Sequence, residues 1–96
     1  MGEVKIYVDD YRRKATVLGR EARWSHLFAI PPDNRALREF GAKIGLKPAW
    51  LEETGWPHFD VTDAKRSAAI KQGAQKVSIM AAVRLKQEYR ECEKHE

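Results

Sequence analysis

The chain has a single cysteine, Cys92, among 96 residues. A lone thiol closes no internal disulfide, so a disulfide scaffold is excluded and the usage fits a reducing compartment. Long apolar runs are also missing. Leu27-Phe28-Ala29-Ile30 is a representative run, against the roughly 18 residues a membrane-spanning helix needs, so no membrane association is expected. The start, Met1-Gly2-Glu3-Val4-Lys5, carries no apolar signal stretch, and the expected location is the cytoplasm. There is no HExxH or CxxC spacing, hence no sequence signature for zinc. Internal repeats and low-complexity tracts are absent as well.

What is present is an ordinary folding composition with a basic lean. The formal charge is +4, a weak pointer to an anionic partner. The excess sits between Tyr11 and Arg23, where Arg12, Arg13, Lys14, Arg20 and Arg23 face one acid, Glu21. A chain of this length makes one small domain with a thin stability margin.

Val4, Ile6 and Val8 alternate with Lys5 and Tyr7 as in a half-buried strand. Ala15 to Leu18 reads as a short strand closed by Gly19, and residues 24–29, apolar on both faces, as a central one. Pro31-Pro32 stops that strand, and Asp33 caps a helix over 34–44 with Leu37, Phe40 and Ile44 along one stripe. Gly45 is its natural C′ residue. A helical turn is expected at 49–52, a second helix over 63–72, a short strand at 75–77 and a last helix capped by Ser78. The order predicts an α/β domain, with α+β as the other arrangement it allows. It has three or four strands and about three helices. Residues 1–78 form the core, and the helix at 79–96 packs on that core or on a partner subunit, making a homodimer the expected assembly if it does the latter.

The densest chemistry lies in His58-Phe59-Asp60-Val61-Thr62-Asp63-Ala64-Lys65-Arg66. Thr62 reads as an N-cap, with His58 to Val61 leading into the helix. Lys65 and Arg66 then fall in a first turn whose macrodipole is already positive, the wrong end for cations. Two cations beside free backbone N–H groups predict an anion site, most often for phosphate.

The pieces Tyr7-Val8-Asp9-Asp10, Trp24-Ser25-His26-Leu27, Phe40-Gly41-Ala42-Lys43-Ile44-Gly45-Leu46 with Trp50, His58-Phe59-Asp60 with Lys65-Arg66, and Gly73-Ala74 share an order and spacing. On these the chain resembles a family of small bacterial and phage proteins, domain of unknown function 4031, over most of residues 4–78. Pro31-Pro32-Asp33-Asn34 replaces a more acidic helix start, and the tail after Ser78 is longer. The resemblance implies no activity. A phage setting implies neutralisation of a host defence, for instance by sequestering a signalling nucleotide.

The leading expectation is binding of a small phosphorylated ligand, a nucleotide or cyclic nucleotide. Lys65 and Arg66 would contact phosphate, Trp24, Trp50 or Trp56 would stack on a base, and Asp60 and Asp10 would line the site. A second expectation is phosphodiester cleavage with His26 and His58 as acid and base, although no His-x-Thr or His-x-Ser pair is present. A third is single-stranded RNA or DNA binding through residues 11–23. No cofactor is required. Mg²⁺ is the ion the carboxylates Asp9, Asp10 and Asp60 would suit, with His58 beside them. His95 receives no role.

Overall fold

The computed structural model describes residues 3–94; His95 lies outside them. The elements run β1 (Lys5–Val8), β2 (Arg13–Val17), β3 (Arg20–Ile30), α1 (Asn34–Lys43), a 3-10 turn (Pro48–Trp50), β4 (His58–Thr62), α2 (Asp63–Lys71), β5 (Gln75–Lys76) and α3 (Ile79–Lys94). The architecture is a mixed α/β fold with five strands, one more than the upper expectation.

The extra strand is β4. Its residues, expected as the lead-in to a helix, form a ladder with β3 instead, while the helix itself begins at Asp63 after the Thr62 cap, as expected. The basic stretch after Tyr11 is likewise ordered, as the hairpin of β2 and β3. Leu18 and Gly19 turn that hairpin, both with positive φ (51° and 79°), the pattern of a two-residue I′ turn.

β3 is the spine. β4 pairs with one edge of it, while β1 and β2 lie end to end along the other, with β5 parallel to β1 outside. Between β1 and β2 the register slips. Val8 pairs with Leu27 and Arg13 with Trp24, so residues 9–12 span what Ser25 and His26 cover on the partner strand. This bulge carries two extra residues and includes Arg12 at φ 46°.

The sheet separates two cores. On one face Val8, Leu27, Phe59 and Val61 pack against Leu37 and Ile44 of the α1 region and Ala69 of α2. There Gly41 lets α1 approach closely, since a Cβ on it would lie 2.9 Å from the Phe59 ring. Ala69 is buried and Ala64 exposed, so the small-residue face of α2 is narrower than its sequence suggests. On the other face Tyr7 and Phe28 pack against Ala82 and Leu85 of α3, with Trp56 at the margin. No described helix is long and apolar enough to cross a membrane.

Candidate functional site

Strand alternation puts every second residue of β4 on one face. His58, Asp60 and Thr62 point to the α3 side, while Phe59 and Val61 enter the opposite core. His26 on β3 is paired directly with Asp60, and Phe28 with His58. The register therefore assembles His26, His58 and Asp60 from two strands. The two imidazoles meet edge to face with centroids 5.2 Å apart.

Each ring is oriented by an acceptor at Nδ1. His26 Nδ1 lies 2.7 Å from Asp9 Oδ2, and His58 Nδ1 lies 2.8 Å from the carbonyl oxygen of Trp56. A carbonyl only accepts, so His58 carries a proton on Nδ1. An ionised carboxylate makes the same demand of His26. In the neutral rings the free lone pair is then on Nε2. His58 Nε2 faces Asp60 Oδ1 at 3.6 Å.

Asp9 is the product of the bulge. Only 3% exposed, it accepts from the backbone N–H groups of Tyr11 (3.1 Å) and His26 (3.0 Å) as well as from the His26 ring. Burial pushes its carboxyl up. The His26 side chain and the two backbone donors more than offset that, leaving it below its ordinary value and ionised. Tyr11 stacks on His26 at 5.1 Å. Lys86 of α3 lies over the Phe28 ring at 4.3 Å; its burial there lowers its pKa, partly countered by the charge of Asp9. Neither Tyr11 nor Lys86 is among the sequence candidates for the histidine cluster. Nothing local marks Lys86, which reaches the site only through the packing of α3.

The expected anion site at the start of α2 has another explanation. Lys65 Nζ donates to the carbonyl of Ile44, where α1 ends in a Schellman turn: Leu46 N–H bonds Gly41 O and Gly45 N–H bonds Ala42 O. Lys65 stands at the wrong end of its own helix and the right end of another. Arg66 Nε donates to Asp9 O at 2.8 Å. Thr62 Oγ1 accepts from Lys65 N–H, and Asp63 occupies the first turn in a bidentate pair with Arg12 (2.8 and 3.0 Å). Hydrogen bonds and a carboxylate from the chain itself thus serve that helix end, and Arg66 gives its Nε–H to the bulge.

The remaining candidates divide. Trp24, Trp50, Lys65 and Asp60 line a cleft of about 580 Å³ between the 45–52 loop and the β2–β3 hairpin, joined there by Leu18 and Arg20. Trp56 is not among its walls. Its indole donates to Ala29 O and its ring meets Tyr89, while Arg90 lies over it. Asp10 Oδ1 accepts from Ile79 N–H at the start of α3. Of the hard-ligand set, Asp9 and Asp10 are thus committed to internal partners, and Asp60 stands with His58 and His26. Arg13 and Lys14 are exposed on β2, an edge strand, where cations commonly block edge-to-edge pairing.

No curated protein and no solved structure matches the chain. The family described as Protein of unknown function (DUF4031) matches residues 6–89. That span carries Asp9, His26, His58 and Asp60 and runs well into α3, past the limit near residue 78 that the sequence pieces suggest. The chain therefore belongs to the DUF4031 family.

Proposed function

We propose that the chain binds a small phosphorylated ligand of nucleotide type in the cleft, with one end of the ligand beside His26 and His58. The observation that carries this reading is Asp60, which belongs both to the cleft wall and to the histidine cluster. Trp24 and Trp50 offer faces on which a base stacks. Arg20 and Lys65 offer charge, and Lys65 keeps ammonium protons beyond the one given to Ile44. The volume suits a ligand of that size. Sequestration of a signalling nucleotide would use the same contacts.

Thermal melts against a panel of mononucleotides and cyclic nucleotides test the reading, because a ligand that binds only the folded chain raises Tm by mass action. At least one member should do so. Trp50→Ala, at an exposed position, should weaken that ligand about 5- to 100-fold, the range of a lost base–aromatic stack. A panel that leaves Tm unmoved would sink the proposal.

The Asp9–His26 contact favours a second reading, cleavage of the bound phosphodiester. Asp9 holds His26 in the tautomer whose Nε2 accepts a proton, the role of a general base. His58, when protonated, would carry its second proton on Nε2 as general acid. Mass analysis of the ligand after long incubation decides between the two readings, since binding alone returns it intact.

A further inference from the structure

The geometry points to a divalent transition-metal site, of the kind Zn²⁺ fills, formed by His26 Nε2, His58 Nε2 and the Asp60 carboxylate. One donor atom from each lies within 4.8 Å of the others. Two of these acceptors, His58 Nε2 and Asp60 Oδ1, face each other at 3.6 Å. With Nδ1 of His58 donating to the Trp56 carbonyl, a neutral His58 ring brings no hydrogen to that gap. A positive charge between these two acceptors, whether a proton on Nε2 or a bound metal ion, turns their approach into an attraction. Bonds of ~2.0–2.1 Å to a tetrahedral ion place ligand atoms about 3.3 Å apart, close to the observed gap between His58 and Asp60.

The surroundings match what metal-binding histidines require. Such a ring gives its other N–H to a carboxylate or a backbone carbonyl, which fixes the tautomer and raises the basicity of the ligating nitrogen. His26 does the first through Asp9 and His58 the second through Trp56 O. Asp9 is buried, whereas the side chains of His26, His58 and Asp60 are 32%, 22% and 37% exposed. Three protein ligands with an open side is the pattern of a zinc ion that keeps a fourth position for water or substrate. Two imidazoles also select a borderline ion over Mg²⁺, which prefers oxygen ligands.

An anionic ligand end in the cleft would meet the negative charge of Asp60, and an ion held there removes that repulsion. The metal site does not rest on the nucleotide reading, and it is measured without any nucleotide, so either can fail alone.

Calorimetric titration of the chelator-treated full chain with Zn²⁺ should give one ion per chain, with Mg²⁺ unable to compete. Cys92→Ser should leave this unchanged, because the thiol is exposed on α3, outside the donor set. His58→Ala and Asp60→Ala should abolish the tight phase, and Asp9→Asn should weaken it about 10- to 100-fold, the usual loss for an outer partner of a metal-bound histidine. Nitrogen NMR of the unaltered chain covers the case in which a variant fails to fold. Zn²⁺ should shift Nε2 of His26 and His58 while both Nδ1 atoms stay protonated. Unmoved Nε2 signals, an affinity indifferent to His58→Ala and Asp60→Ala, or equal competition by Mg²⁺ would overturn the assignment.

Discussion

Lys65 and Lys86 are two lysines whose roles come from residues distant in sequence. The first is anomalous in its own helix and ordinary once the end of α1 is beside it. The second lies with its stem on Phe28 and its ammonium between opposing influences, Asp9 at the end of β1 and Arg90 one turn along α3. Burial wins, so folding lowers the Lys86 pKa below its usual 10.5. Burial of its charged form costs stability. As pH rises toward 10.5 the folded chain loses the proton first, the unfolded state binds more protons, and stability rises. Melts of the wild type and Lys86→Met between pH 7 and 10.5 should show the wild type gaining on the variant as pH rises. A constant gap across that range would mean that Lys86 is not desolvated. Neither lysine's role was legible in sequence, because each depends on which distant element folds against it.

Elements were more legible than residues. The cap at Asp33, the stop at Pro31-Pro32 and the C′ glycine at Gly45 locate α1 to within a residue of its ends. The failure at β4 has a specific cause. Thr62 is a genuine helix cap, and its strength draws attention from the residues before it. Yet His58, Asp60 and Thr62 alternate with Phe59 and Val61 at period two, the strand signal. Reading that alternation first would have placed His58 and Asp60 on one face. No such signal pairs them with His26, since register between distant strands is set by the folded sheet. The β2–β3 turn yields a test at this scale. Leu18 is 81% exposed and sits in a left-handed conformation that favours Asn. Leu18→Asn should stabilise the chain by about 0.5–1 kcal/mol in urea unfolding. Because Leu18 also lines the cleft, the same variant should bind the proposed ligand less tightly. Loss of stability on this substitution would contradict the strained-turn reading.

At the scale of the whole molecule, the strongest constraint is that one short strand faces two environments. Phe59 and Val61 anchor β4 in the larger core while His58 and Asp60 project from its other side. Phe59, with no exposed surface, touches the position where Gly41 admits α1. Phe59→Ala should cost about 3–5 kcal/mol, a large share of the ~5–10 kcal/mol expected for a domain this small. Chemical denaturation would read this as a midpoint shifted sharply down or a chain already unfolded in water. A cost below ~1 kcal/mol would show that β4 is not held by this core. The general class, an α/β sheet with helices on it, was available from the order of elements. The two apolar faces of residues 24–29 also announced a core on each side of β3, and Leu27 and Phe28 enter different cores. Which helix covers which face was not legible, since that is set by packing between distant elements.

The bulge at residues 9–12 carries a consequence for how this chain tolerates length changes. Its excess is two residues rather than one, so side chains on either side of it keep their faces: Val8 and Leu27 remain on the larger core's side, Arg13 and Trp24 on the other. Removing one residue there would invert everything on one side of the cut. Removing two would leave every face in place and let β1 and β2 fuse into a single continuous strand. Such a shortened chain would have a more regular sheet, and no carboxylate turned inward to hold His26.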